Sequence, residues 1–496
     1  MTETSSRRSP GTALAVLLVA LVPRLYVAIA WSREPVWDGH YYDLGARSIA
    51  AGRGYVGVEG APWCHYPVGY STWLGFAYRL FGTGAWVGPL LNAVMGAMTA
   101  ALVYLLAVRA EADPRSRRPL VAGLLVALHP GLIAYTPLLM TETTSAWLLV
   151  LAPALFLLRS SSWRWALFAG LVFGCGTLVR PQTILCAPAL YFLAPVTLTR
   201  RTRVACAALA TAGALLVVAP WTVRNCTVMD GCAFVSTNGG WNLAIGSFPR
   251  ATGRFETLRG SDGCAVVTGQ VQQDRCWSQR AAGWIAGDPV RWLGLIPRKL
   301  GFTFDHESFA VGYLGEADPA RWTDGRKERA RLGLSAAHCA LLSVAPLAFL
   351  VRPSRRRPAT LLPSLGIALL AWVGISSDEH PFWPLAILLV VVAAWSVAAR
   401  AKAVKPRGPL VYAAYAVGTL VFVHAVFFGE DRYHIVVSPL LCLLTAFAWR
   451  TSAEDEGASL AAPVDPEEPP DGLEEPGSLG PARVLDVSGA GTVPPR

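Results

Sequence analysis

The feature that most constrains this chain is a series of apolar runs close to about 20 residues, the length a bilayer-spanning helix needs. They fall at 11–31, 85–108, 119–138, 139–158, 164–180, 182–198, 203–222, 335–352, 358–376, 381–400, 408–428 and 433–449. In lipid such a run can satisfy its own backbone polar groups only as a helix. The expected fold is therefore an all-α polytopic membrane protein with about twelve transmembrane helices. Only 15% of residues are charged, against about 25% in soluble domains. Many of the 18 tryptophans sit at run ends, as in an interfacial belt.

The connections set a topology. Arg109, Arg115, Arg117 and Arg118 share one side with Arg159 and Arg164, and with Arg200, Arg201 and Arg203. On the same side fall Arg352, Arg355, Arg356 and Arg357, then Arg400, Lys402, Lys405 and Arg407. Such a bias marks the cytoplasmic face. Arg7 and Arg8 precede the first run, which is long and lacks a small-residue cleavage site, so it reads as an uncleaved helix behind a short cytoplasmic N-terminus (1–10). Two long segments, 32–84 and 223–334, then face outward and are expected to form a small extracytoplasmic cap. Segments of this length are usually functional or disordered. Residues 11–450 form the transmembrane domain. Residues 451–496 carry ten acidic and two basic residues among many Pro and Gly, and read as a disordered cytoplasmic tail. The net charge of +10 thus becomes +18 outside the tail, but it lies in short loops, which argues against nucleic-acid binding. The expected location is the inner, plasma membrane with both termini cytoplasmic.

Five of the ten cysteines lie in the outer segments: Cys64, Cys226, Cys232, Cys264 and Cys276. The simplest pairs are Cys226–Cys232 and Cys264–Cys276, although spacing does not fix connectivity. Asn225-Cys226-Thr227 fits a glycosylation sequon.

Few polar residues could carry chemistry. Asp38 follows the first run closely and could serve as a general base at the membrane surface; its ordinary reading is a solvated carboxylate. Glu142 opens the fourth run, where an ionisable group either faces a cavity or answers a helix N-terminus. Arg180, Arg224 and Arg432 break the positive-inside trend and could grip a lipid phosphate; the alternative is snorkelling. The Ser236–Leu243 stretch, with Gly239-Gly240, suggests a turn, either plain or approached by a ligand. Asp305-His306-Glu307 and Asp378-Glu379-His380 could ligate a metal only with distant partners, so no metal is expected. There is no P-loop, nucleophile elbow or zincin helix.

Taken in order, several motifs resemble the membrane glycosyltransferases of the GT-C class, specifically the protein O-mannosyltransferases and the lipid A aminoarabinose transferase. They are Asp38 with Tyr41-Tyr42, Tyr66-Pro67-Val68-Gly69-Tyr70, Glu142, Arg180-Pro181, Arg224-Asn225, Asn238-Gly239-Gly240-Trp241-Asn242-Leu243, and Glu430-Asp431-Arg432-Tyr433-His434. The resemblance covers about 11–450. It implies inverting transfer of a sugar from a polyprenyl-phosphate donor to an outer acceptor: a protein hydroxyl, a lipid or an envelope glycan. It implies Asp38 and Glu142 as the catalytic acids, and Arg180, Arg224 and Arg432 on the donor phosphate. Tyr41, Tyr42, His65, Tyr70 and Asn238 would contact sugar or acceptor. The partners would be the lipid-linked sugar, the acceptor and membrane lipids, with no cofactor required. The chain departs from the pattern at Gly39, where relatives carry a second acid beside the first, and at His65. The competing readings are a polytopic lipid or sugar transporter and an O-antigen ligase or polymerase; no internal repeat of the transporter kind is visible.

Overall fold

The structure, a computed structural model, describes residues 10–160, 162–265, 269–350, 361–398 and 408–448. The acidic tail and the arginine- and lysine-bearing loops at 351–360 and 399–407 lie outside the described residues.

The described chain is helical, with two isolated bridges and no longer strand. It opens with α1 (Pro10–Ala30), then the short α2 (Asp38–Ala50) and α3 (Val68–Phe81) of the first long segment. α4 (Val87–Ala110) packs along α1. α5 (Arg118–Leu128) stops at His129 and α6 (Pro130–Ala134) restarts. α7 (Thr141–Phe156) and α8 (Trp163–Val179) form a hairpin. A 3-10 run, Pro181–Ala189, leads through α9 (Leu190–Leu193) into α10 (Arg200–Val228), which lies along α8. The second long segment holds α11 (Gly239–Ile245), α12 (Gln270–Gly287), α13 (Pro289–Gly294), α14 (Ile296–Phe304) and α15 (Phe309–Ala317). α16 (Asp324–Val344), α17 (Leu361–Ser376), α18 (Trp383–Ala398) and α19 (Gly408–Val426) return to the bundle. A 3-10 turn, Asp431–Val436, precedes α20 (Ser438–Ala446).

Five of these are by themselves long and apolar enough to cross a bilayer: α1, α4, α10, α16 with its 3-10 continuation to Phe349, and α19. The other expected spans are shorter or interrupted, and the sequence shows why. Pro130 splits 119–138, Pro181 and Pro188 turn the start of 182–198 into a 3-10 run, and the expected last span begins as a turn before Pro439. Proline lacks the N–H that an α-helix interior uses. Large apolar side chains are exposed along the long helices, Val22 at 70% and Leu216 at 63%, as expected of a lipid-facing surface.

A fully buried cation repairs one break. Pro130 cannot donate to the carbonyl of Val126. Instead Arg24, within α1, donates Nη2 to Val126 O at 2.9 Å and Nη1 to Ala127 O at 2.7 Å and Ala20 O at 2.9 Å. His129 then caps α6, its Nδ1 accepting from Leu132 N.

The two long segments pack on each other. Thr237 N donates to Cys64 O, and Gln270 bridges Cys64 N and Pro62 O. Both expected disulfides are present, Cys226–Cys232 and Cys264–Cys276; Cys64 is free and buried. Asp230 and Asp274 accept from the first N–H groups of α12 and α11 respectively. Gly240 is a glycine because α12 passes against it: a Cβ there would lie 2.0 Å from Asp274 O. Asn225 of the sequon is buried, its amide bonded to Ala233 O and Val235 O, so it offers no free amide for modification.

Candidate active site

Six segments converge on one cavity of about 530 Å³. Asp38 comes from the start of α2, and His65 to Pro67 from the approach to α3. Thr141 opens α7, Arg180 closes α8, and residues 422–433 lie at the end of α19 and the turn beyond it. Ser236, Asn238, Trp241 and Asn242 enter from the second segment. The α7–α8 hairpin fixes depth: Thr141 and Arg180 lie at one end, and the Arg159–Arg164 connection lies at the other, about 25 Å away at 1.5 Å per residue. Gly69 lets α3 close on this end of α8, since a Cβ would lie 2.5 Å from the Leu178 carbonyl carbon.

Asp38 is held from every side. Trp37 before it has φ 52°, a left-handed conformation costing a bulky residue about 1–3 kcal/mol. The Trp37 ring packs edge-on against Phe309 and Tyr313. Asp38 Oδ1 accepts from Tyr66 Oη at 2.9 Å, and Oδ2 from Arg432 Nη1 at 2.6 Å. Burial pushes the Asp38 carboxyl up, but Arg432 and Tyr66 hold it below its ordinary value on balance. It is an anion at neutral pH. The imidazole of His65, also lining the cavity, is pushed down by burial, partly offset by Asp38.

Two arginines face the cavity, and each has a carboxylate behind it. Arg180 Nη2 binds Glu142, whose side chain is fully buried, and its Nε donates to Thr141 Oγ1 at 2.9 Å. Glu142 therefore does not line the cavity; it stands in the first turn of α7 behind Arg180, one oxygen unpartnered. Arg432 pairs with Asp38 and, through Nε, with Glu430 Oε2 at 2.5 Å. Tyr433 joins the two cations, its ring 5.2 Å from the Arg180 guanidinium and 5.1 Å from that of Arg432. His424 stacks on the same ring at 4.2 Å.

Of the other expected site residues, Tyr42, His65 and Asn238 line the cavity. Three do not. Arg224 donates to Trp63 O at 3.0 Å and Tyr55 O at 3.2 Å and lies over Trp221, so it ties the first outer segment to α10. Tyr70 is fully buried beneath Tyr42. Tyr41 points outward, stacked on Tyr66. Sequence reasoning named Tyr66, Trp241 and Tyr433 only within motifs, with no role of their own, and passed over His424. His424, a lone histidine in an apolar span, was the visible signal. Among the described residues no group of three or more His, Cys, Asp or Glu converges as a metal site. Asp305 instead caps α18, accepting from Phe382 N and Trp383 N.

Residues 65–223 match the dolichyl-phosphate-mannose-protein mannosyltransferase family. Over that stretch the resemblance to the GT-C glycosyltransferases holds, and it covers the His65–Pro67, Glu142 and Arg180 contributions to the site. No curated protein matches the chain. Among solved structures, an oligosaccharyltransferase from Archaeoglobus fulgidus, tethered to an acceptor peptide, is 15% identical over 90% of this chain and 50% of that one, with a TM-score of 0.45. The archaeal AglB with an inhibitory peptide and a dolichol-phosphate gives the same figures. ArnT from Cupriavidus metallidurans, bound to undecaprenyl phosphate, is 17% identical over 88% of this chain and 78% of that one, with a TM-score of 0.37. The chain thus spans about half the length of the oligosaccharyltransferase.

Proposed function

We propose that the protein is a glycosyltransferase that moves a sugar from a polyprenyl-phosphate donor to a hydroxyl acceptor on the outer face of the plasma membrane. The observation that carries this is the composition of the cavity. A carboxylate, Asp38, and two guanidiniums, Arg180 and Arg432, share a chamber that also has apolar lining residues, Leu185 and Phe422. Those two side chains lie on apolar helices and are 37% and 64% exposed, so the chamber reaches the surface that lipid would cover. A polyprenyl tail could stay in lipid while its phosphate enters. The family match supports the donor class.

In the proposed reaction Asp38 takes the proton of the acceptor hydroxyl. The acceptor oxygen forms a bond to the anomeric carbon as the bond from that carbon to the phosphate oxygen breaks, with inversion. The electron pair leaves on the phosphate, whose growing charge Arg180 and Arg432 stabilise. Glu142 keeps Arg180 in place from behind. Tyr42, His65, Asn238 and Trp241 contact the sugar and acceptor, with the indole offering a flat apolar face. The donor arrives activated on its lipid, so the reaction draws on no nucleotide or metal. The arginine-bearing loops support a cytoplasmic side for the termini and the Arg159–Arg164 connection, and on this reading the two long segments form an extracytoplasmic cap.

The test is mass spectrometry of glycolipids, envelope glycans and glycoproteins from cells with and without the gene. The reading expects one glycan species to vanish and its lipid-phosphate sugar to accumulate. An unchanged glycan profile with normal donor levels would sink it.

A further inference from the structure

The charges of the cavity do not favour an added anion. Two guanidiniums, Arg180 and Arg432, are answered by the carboxylates of Glu142 and Asp38, and beside them stands Glu430, whose carboxyl burial pushes up to about 7. No positive surplus is left for a phosphate. Arg432 gives Nη1 to Asp38 at 2.6 Å, and its Nε stands beside Glu430 as an ion pair without a hydrogen bond. Asp38 is occupied, one oxygen by Tyr66 and the other by Arg432. As it stands, Arg432 holds Asp38 as a weakened base, and the charge of Arg432 is shared with that carboxylate rather than offered whole to a donor.

One movement resolves both conflicts. We propose that the donor's phosphate and Asp38 compete for Arg432, so that arrival of the lipid phosphate draws Arg432 away and only then frees the Asp38 carboxylate to act as base on the acceptor hydroxyl. This rests on the polyprenyl-phosphate reading and adds an order to it: donor first, acceptor second. Arg432 is the member able to move. It carries a long side chain on a short 3-10 turn, whereas Asp38 is set by Trp37 on one side and Tyr66 on the other. The phosphate would bridge Arg180 and Arg432 near Tyr433, where both cations already stand. Without donor the base stays weakened by its ion pair, and with donor it loses that pairing and becomes the stronger base. After transfer the carrier leaves as a phosphate monoester with more negative charge than the donor diester. It therefore holds Arg432 more strongly than the donor does, and its departure closes the pair again.

The test is a double-mutant cycle on binding of undecaprenyl phosphate to the full chain in nanodiscs, with undecaprenol as the uncharged control. The proteins are wild type, Asp38→Asn, Arg432→Gln and the double variant. Asp38→Asn should tighten binding about tenfold, or ~1.4 kcal/mol, by freeing Arg432. That gain should vanish in the Arg432→Gln background. A gain that persists without Arg432 would show only the removal of a repelling charge and would overturn the competition. So would an unchanged affinity in Asp38→Asn. If wild type does not prefer undecaprenyl phosphate to undecaprenol, the donor reading itself falls and takes the proposal with it. A second measurement does not depend on any variant folding: the Asp38–Arg432 pair in the wild-type structure with undecaprenyl phosphate bound should be open, and an intact pair beside a bound phosphate overturns the proposal.

Discussion

The guanidinium groups of Arg180 and Arg432 stand 5.2 and 5.1 Å from the centroid of a single ring, that of Tyr433. They lie 252 residues apart in sequence, one closing α8 and the other lying on the turn before α20. Two like charges repel, and this arrangement offsets the repulsion in two ways. The electron-rich face of the ring attracts both, and each has its own carboxylate. The spacing is therefore set before any ligand arrives.

Tyr433→Ala should release that spacing. A cation–π contact contributes about 0.5–2 kcal/mol, and two are lost together. The expected outcome is weaker binding of polyprenyl phosphate by tenfold or more, with Tyr433→Phe close to wild type because the ring is retained. Measuring lipid-phosphate affinity for both variants separates the ring from its hydroxyl. Equal losses in the two would assign the effect to the Oη contact with Arg432.

Arg180→Ala alone is a poor probe of phosphate binding. It leaves Glu142, whose side chain is fully buried, without its cation, and breaking a buried pair from one side costs about 3–5 kcal/mol. The informative comparison is Arg180→Ala with Arg180→Ala/Glu142→Gln. The second should recover most of the lost melting temperature in detergent and none of the lost donor affinity. Recovery of both would remove Arg180 from the donor site and leave it a structural partner of Glu142.

How much of this was legible in the sequence follows the range of each interaction. The apolar runs that became α1, α4, α10 and α19 are local, and their lengths and positions could be read directly. The interruption at Pro130 was also local, but its consequence was not: Arg24 lies in a different helix from the carbonyls it serves. The motif residues Asp38, Arg180 and Arg432 were each visible and do share a cavity. Their partners were not visible, because pairing depends on which helix ends meet in space. Arg224 shows the same limit from the other side. An arginine aimed at backbone carbonyls and one aimed at a ligand look alike until the loop carrying Tyr55 and Trp63 is placed.

Arg24 gives a test of the bundle apart from the chemistry. Arg24→Met removes three hydrogen bonds from a buried cation and orphans Val126 O and Ala127 O. Each unsatisfied buried group costs about 1–3 kcal/mol, so the melting temperature should fall clearly. Pro130→Ala supplies an N–H that can reach Val126 O, as in an uninterrupted helix, and should restore part of the loss in the Arg24→Met background. If Pro130→Ala only destabilises further, the break at Pro130 is needed for packing, and Arg24 does more than repair it.

The pH dependence of turnover tests Asp38 from another direction. In the free protein Arg432 and Tyr66 outweigh burial and hold the Asp38 carboxyl below its ordinary value. A depressed carboxyl stays ionised until the pH falls below that lowered value, so the acid limb of kcat/KM for the donor, which reports free enzyme, should lie below the usual carboxylate range. With donor bound, Arg432 serves the phosphate and no longer stabilises the Asp38 anion, while a phosphate charge now stands nearby. Both changes favour the protonated form, so the acid limb of kcat at saturating donor should move to higher pH. In Asp38→Asn neither limb should remain, and turnover should fall about 100- to 10,000-fold, the usual range for loss of a general base. Rate–pH profiles for wild type, at subsaturating and saturating donor, decide the matter. Coincident acid limbs would mean that Arg432 keeps its grip on Asp38 throughout the cycle, and wild-type turnover in Asp38→Asn would move the search for the base to His65 or His424.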